Sequence, residues 1–422
     1  MDGNAIHLGR YSNSDEPDAH GELPYGGERH LLLFGPNGSG KSTRILVPNL
    51  LSIKNRSIVV IDPKGELAAI TADYRRSVSD VVILNPFGIL GLPSQGFNPL
   101  ASLDSESPTF VDDAMGVAEA LIKIEDKDPH WSESAQGLVT AFIMWEVIQA
   151  KRGNGLPSLE NVRRLMTEAS EHEDDEDGSR HWVRGFRHTT ARMCVEDNFE
   201  LESLISRFLR DSNEIASIQS TADRQTRWLL SRPIRESIGR DDIDFADLKK
   251  RPITVYVVLP AERMRTHSVW LRLVVVTALR ALYKPGGMKT LFMLDEFAQL
   301  GHLGPIEDAF GLVRGYGVQI WPVLQDLTQL KSIYKERYET FMANAGVVQS
   351  FAPNDLTTAD WMSRRSFEDT DVSASYSLNN STSGNGPSKS SGMSYQQVKR
   401  PLYMQQELMD FPEGSGLACT RF

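Results

Sequence analysis

Cysteine is nearly missing from this chain. Among 422 residues there are two, Cys194 and Cys419, far apart and without metal-ligand spacing. A disulfide framework and a cysteine-held metal are both excluded, and a reducing compartment fits two packing thiols. Long apolar runs are missing too. No stretch approaches the roughly 18–20 residues that cross a bilayer, and residues 1–20 hold no signal-peptide core. The chain as given reads as soluble. Positive charge is in deficit, with 45 Lys and Arg against 56 Asp and Glu and a formal net charge of −11. Six of those acids fall in 171–177 (EHEDDED), so much of the excess sits on one solvated loop. This balance argues against a broad nucleic-acid-coating surface, though not against a narrow channel lined by a few cations. The remaining composition, 40% hydrophobic and 24% charged, is that of a globular protein with a large core and two or three domains.

What is present is organised around residues 31–43, LLLFGPNGSGKST. Leu31, Leu32, Leu33 and Phe34 run straight into Gly35, Pro36, Asn37, Gly38, Ser39, Gly40, Lys41 and Ser42. That is G-x-x-x-x-G-K-[ST] directly after a buried strand, the context that makes the pattern a phosphate loop. Glycines without Cβ atoms let successive backbone N–H groups turn inward around a polyphosphate. Lys41 is then placed to reach the β and γ phosphates, and the Ser42 hydroxyl to ligate Mg²⁺. Helical residues begin at once with Thr43, so the anion also meets the positive end of a helix dipole. The pattern predicts binding of a nucleoside triphosphate.

Taken in order, residues 1–29 read as a polar lead-in, mobile or loosely packed. A short helix is expected over 43–51, with Pro48 against a long one. Continuously apolar strands at 57–62 and 81–84, with a helix between them, indicate a parallel sheet covered on both faces. From 108 to about 228 the pattern offers no convincing strand, only helix-period segments, among them 179–195. The plainest organisation is an α/β domain made of 30–104 and 231–422, interrupted by an all-helical unit at 105–230. Further strands are expected at 253–259, 290–294, 319–324 and 346–351, and a last edge strand at 417–420. Pro322 suggests a bulge or a sheet edge. Residues 373–395, rich in Ser, Gly and Asn, read as a disordered loop.

A triphosphate site needs a second half, and 291–296 (LFMLDE) supplies it. A buried strand points its carboxyl end at the ligand crevice of a parallel sheet. Asp295 is placed there to hold Mg²⁺, and Glu296 to polarise the attacking water. Gln325 ends the next strand. It is either a sensor bonded to the γ phosphate and the water, or a strand-end amide that satisfies backbone. Arg314, in a Gly-rich turn, is either a finger reaching a neighbouring subunit's nucleotide or a solvated surface residue. Asp62, Lys64 and Glu66 follow another strand end and so fall near the same crevice. His130 and Trp131 read as a helix-start packing pair.

The loop GPNGSGKST is common in ABC transporter ATPases, but no LSGGQ-type segment exists here. Several segments instead resemble, in order, the VirD4/TraG-type coupling proteins of bacterial type IV secretion and conjugation. They are HLLLFGPNGSGKSTRILVPNLL (30–51), SIVVIDPKGELAAITADYRR (57–76), NPL (98–100) and HWSESAQGLVTAFIMWEVI (130–148). TVYVVLPAERM (254–264), LFMLDEFAQLG (291–301), VRGYGVQIWPVLQDLTQLKSIY (313–334) and RPLYMQQELMDFPEG (400–414) continue the series. The resemblance implies a RecA/FtsK-like P-loop NTPase with a mostly parallel sheet and an inserted all-α domain that docks cargo. It implies a homo-hexameric ring at the cytoplasmic face of the inner membrane that hydrolyses ATP with Mg²⁺. Its cargo would be single-stranded DNA with a relaxase, or effector proteins, handed to the secretion machinery. It supports Lys41, Ser42, Asp295, Glu296 and Gln325 in the roles above and favours Arg314 as the finger.

Two features depart from the family. Its members usually carry membrane-spanning helices ahead of the motor, and the 29 residues here hold none. Either that segment is trimmed from this sequence or the member is unanchored, which leaves open a hexamer when active or a monomer in this soluble form. The family more often has Thr-Arg at Asn37-Gly38 and Gly after the lysine, whereas Ser42 restores the Mg²⁺ hydroxyl. The competing readings are an FtsK/HerA-like DNA translocase, which the long helical insertion disfavours, and an ATP-switched cargo receptor that does not pump.

Overall fold

The computed structural model describes residues 4–13, 16–125, 128–175, 180–210, 212–383 and 386–420. The chain opens with strands β1 (Ile6–Asn13) and β2 (Glu16–Tyr25), an antiparallel hairpin. This corrects the loosely packed lead-in. Ile6 and Leu8 are buried, and Asn49 clamps the hairpin by accepting from His7 N at 2.7 Å and donating to His7 O at 2.7 Å. Averaged polarity hides two apolar residues that alternate with period two.

Strands β3 (His30–Phe34), β4 (Ser57–Ile61) and β5 (Asp80–Leu84) follow, with a helix at Glu66–Arg76. A long, mainly helical stretch comes next: Phe110–Leu121, Pro129–Arg152, Leu159–Thr167, Gly185–Cys194, Phe199–Ile205 and Asn213–Thr226. Ser158, Asn198 and Ser212 cap three of these by accepting from the N–H three residues on. The stretch is not purely helical. β6 (Glu171–Asp174) and β7 (Arg180–Arg184) pair antiparallel, so the helix expected over 179–195 starts only at Gly185. Gly185 is the reason: its φ is +82°, and a Cβ there would stand 2.1 Å from the Ala169 carbonyl oxygen.

The sheet resumes with β8 (Ile253–Val257), a long helix at Ala261–Ala281, β9 (Thr290–Leu294), β10 (Val318–Leu324) and β11 (Ala345–Phe351). β12 (Glu368–Ser383) and β13 (Gly386–Pro401) then pair over their length, and β14 (Gly416–Thr420) closes the chain. The loop expected at 373–395 is thus a paired ribbon, with 384–385 outside the described residues. Ser, Thr, Asn and Tyr tolerate extended backbone, and pairing satisfies their amides without an apolar core.

The central sheet runs β14–β11–β3–β10–β9–β4–β8–β5, parallel except for edge strand β14. Alternation along each strand feeds two cores. Leu31, Leu33, Ile58, Val60, Leu291 and Met293 face one side, while Leu32, Phe34, Val59, Ile61, Phe292 and Leu294 face the other. The second face merges with the helical block in one continuous apolar cluster. Pro322 lies in a central strand, not at an edge. β10 pairs with β9 through Pro322 and with β3 only after it, at Val323 and Leu324. Before the proline, side chains replace the β3 ladder: Ile320 N donates to His30 Nδ1 at 3.0 Å, and Gln319 Nε2 to Arg29 O at 2.6 Å. No helix among the described residues is long and apolar enough to cross a membrane.

Candidate functional site

β3 delivers the chain into a closed loop. Gly35 N donates to Leu324 O at 3.0 Å, which ties the loop's start to the end of β10, and Ser39 N donates to Pro36 O at 3.2 Å. Gly38 and Gly40 take φ values of +82° and +90°, which only glycine adopts without strain. At Gly35 the constraint is space, since a Cβ would stand 2.7 Å from Ser39 Oγ and 3.1 Å from Lys41 Cγ. Lys41 is 8% exposed, and its Nζ donates to Gly35 O at 2.5 Å and Pro36 O at 3.1 Å. Burial pulls its ammonium below the usual lysine range, and the nearby Asp295 and Glu296 carboxylates pull it back up. A wide π-type turn over Lys41–Leu46 leads directly into a helix at Val47–Ser52, with Pro48 in its first turn.

The second half comes from β4 and β9. Ile61 and Leu294 are opposite one another, so Asp62 and Asp295 leave the sheet side by side. Asp62 is 2% exposed and its Oδ2 accepts from Ala68 N at 2.8 Å. Burial, opposed by backbone N–H donors at Ala68 and Leu67, pushes its carboxyl up to about 6. Asp295 accepts from Glu296 N at 3.0 Å, and burial followed by the Glu296 charge pushes it up to about 6 as well. Glu296 itself has φ +50° and ψ 42°. A non-glycine residue held left-handed stores on the order of 1–3 kcal/mol, and such strain collects at active sites.

These pieces enclose a cavity of about 300 Å³. Its walls are residues 37–43 of the loop on one side, Asp295 and Glu296 opposite, and Asp62, Pro63, Lys64, Glu66 and Leu67 from the β4 turn. The donors fit Mg²⁺ with a phosphate chain: a hydroxyl (Ser42) and a carboxylate (Asp295) as hard oxygens, plus a glycine cradle. Ser39 Oγ, buried with no hydrogen-bond partner among the described residues, is an orphan polar atom inside that cradle. Among the described residues no group of three or more His, Cys, Asp or Glu forms a self-sufficient metal cage. Mg²⁺ typically takes one or two carboxylates and completes its shell with phosphate and water.

Two expected residues stand apart from the cavity. Gln325 is half-buried at the end of β10, directly after Leu324, and its backbone N donates to Gln329 Oε1 at 3.0 Å. It is next to the loop, yet not among the lining residues. Arg314 lies in a one-turn helix at Val313–Tyr316, at the amino end of β10, and its side chain lies outside the described residues. The seven residues of β10 put roughly 20 Å between that turn and the carboxyl end of the sheet. Lys64 and Glu66 received no role from the sequence, although their position just after an Asp-ended strand was the available signal. Nothing in the sequence announced the left-handed backbone at Glu296.

Comparison with known proteins adds to this geometry. Residues 5–419 match the family described as Type IV secretory system Conjugative DNA transfer. The chain is 27% identical over 417 residues to "Conjugal transfer protein TraG" of Escherichia coli, covering 92% of this chain and 63% of that protein. It therefore spans less than two thirds of that relative's length. The fold is shared with the bacterial conjugative coupling protein TrwBdeltaN70, at a TM-score of 0.64 and 18% identity over 93% of this chain and 82% of that one. A second TrwB structure, in complex with ADP and Mg²⁺, gives a TM-score of 0.63 at 17% identity, covering 93% and 82% of the two chains.

Proposed function

The chain belongs to the Type IV secretory system Conjugative DNA transfer family, and from that premise we propose that it is an ATP-hydrolysing motor or receptor of a secretion or conjugation system. Its cargo is single-stranded DNA with a relaxase, or effector proteins, passed to a secretion machine at the cytoplasmic face of the bacterial inner membrane. The observation that carries this reading is the cavity in which Lys41 and Ser42 face Asp295 and Glu296. TrwB bound to ADP and Mg²⁺ supports the choice of ligands. In this reading residues 35–43 cradle the phosphates, Lys41 neutralises the β and γ oxygens, and Ser42 and Asp295 hold Mg²⁺. Mg²⁺ supplies charge neutralisation of the phosphates. Glu296 accepts the proton of the attacking water, and Gln325 orients that water. Residues 105–230 form the inserted unit that receives cargo.

Arg314 acts in trans in this proposal, because its turn sits at the opposite end of β10 from the loop of its own subunit. A homo-hexameric ring provides the neighbour. The experiment is ATP turnover with and without single-stranded DNA across a salt series. Turnover that DNA stimulates at low salt and not at high salt supports a DNA motor. Turnover indifferent to DNA favours the cargo receptor. No phosphate release beyond that of Glu296→Gln would sink the ATPase assignment.

A further inference from the structure

We propose that Lys64 is a second phosphate-contacting cation of this site, supplied by the same subunit and directed at the terminal phosphate of a nucleoside triphosphate. The proposal rests on the ATPase reading above and adds to it a residue that distinguishes the triphosphate from the diphosphate.

The turn that carries Lys64 is built to hold one position. Gly65 N donates to Asp62 O at 3.1 Å, and the buried Asp62 carboxylate accepts from Ala68 N beneath it. Gly65 takes φ +70° over Ile89 and Val258, which would stand 3.2 and 3.4 Å from a Cβ there, so the turn is packed from below. Lys64 is left on its exposed crest as a lining residue of the cavity. Among the described residues that line it, Lys41 and Lys64 are the two cations. They differ in surroundings. Lys41 is buried and bonded to the carbonyls of its own loop, whereas Lys64 makes no ion pair or hydrogen bond through its side chain with any described residue. Its charge also acts on Lys41, lowering the ammonium's proton affinity, so the two face one site.

The strand order says which phosphate Lys64 meets. Across the sheet the loop follows β3, and then come β10, β9 and β4. The α and β phosphates lie in the loop, so a chain extending from it across the sheet reaches Asp295 and Glu296 after β9 and then the β4 turn. A cation on that far side meets the last phosphate and not the first two. Preorganised positive charge at this point stabilises the charge that develops as the terminal group is transferred.

The test is equilibrium binding to the full chain, in Mg²⁺, of a fluorescent non-hydrolysable ATP analogue and of the matching fluorescent ADP. Lys64→Met should weaken the ATP analogue by about tenfold or more, the loss of one charged contact, and change ADP by less than about twofold. Lys64→Arg should recover most of the loss. Because Lys64 is exposed, the melting temperature of both variants should match the parent, which separates a contact from misfolding. Equal losses for the two nucleotides, or no loss, would overturn the proposal and leave the ATPase reading intact. Failure of the parent chain to bind either nucleotide would overturn both.

Discussion

Asp62 and Asp295 stand side by side at the ends of neighbouring parallel strands, one residue beyond the Ile61–Leu294 pair. Each carboxyl is pushed up to about 6 from 3.8, chiefly by burial, and in Asp295 also by the charges of Glu296 and Asp62. The sign follows. Between about pH 4 and 6 the folded state holds more protons than the unfolded chain, so stability falls as pH rises through that window. Asp62→Asn keeps an acceptor for Ala68 N and removes one charge. Without metal or nucleotide it should therefore be more stable than the parent at pH 8, by about 1–2 kcal/mol, and lose that advantage at pH 4. Thermal melts of both proteins at the two pH values check this, and an Asn variant less stable at pH 8 would contradict it.

Glu296 combines the carboxylate proposed as the general base with a left-handed backbone, so stability and turnover should separate there. Glu296→Gly releases the strain and should gain about 1 kcal/mol. Glu296→Gln keeps the strain and should leave the melting temperature nearly unchanged. Both should lower turnover by about 10²-fold or more, through loss of the general base, while nucleotide binding persists. A glycine variant no more stable than the glutamine one would show that the backbone is not strained.

Much of this was legible because the chemistry is local. The loop at 35–42 and the LFMLDE strand end declare themselves through residue type and spacing, and the parallel sheet through its uninterrupted apolar strands. The misreadings share a different cause. Ile6 and Leu8 dock through Asn49, Gly185 ends a strand because of the Ala169 carbonyl, and Pro322 is tolerated because His30 and Gln319 replace a missing ladder. Each depends on a partner distant in sequence or on backbone space, and neither shows in a composition window. The ribbon of β12 and β13 was missed for want of apolar residues, since its pairing runs through backbone groups that every residue carries.

Gly35 offers a steric test of the cradle. A methyl group there meets Ser39 Oγ at 2.7 Å, Lys41 Cγ at 3.1 Å and Phe351 Cδ2 at 3.1 Å. Gly35→Ala must open the loop and displace Lys41 from the carbonyls that hold it. Nucleotide affinity should drop by about tenfold or more, the worth of one charged contact, with a stability cost of about 1–3 kcal/mol for overpacking. Fluorescent-nucleotide titration and a denaturant melt read the two effects. Unchanged affinity would mean that the loop is looser than its packing indicates.

His30 tests how β10 survives its proline. The ring is buried against Phe310, with centroids 4.5 Å apart, and its Nδ1 accepts from Ile320 N. Burial pulls its pKa down to about 4 from 6.5, partly offset by a hydrogen bond with the Ala309 backbone. Between about pH 4 and 6.5 the unfolded chain therefore holds the extra proton, and this contribution to stability is lost as pH falls, opposite in sign to the Asp62–Asp295 pair. His30→Phe fills the same space but leaves the Ile320 N–H without an acceptor, so at pH 8 it should cost about 1–3 kcal/mol. The variant has no buried imidazole to protonate, and the gap to the parent should narrow as the pH is lowered from 8 to 5. Denaturant melts at both pH values measure the gap, and a gap independent of pH would show that His30 takes up its proton as readily in the folded protein as in the unfolded chain.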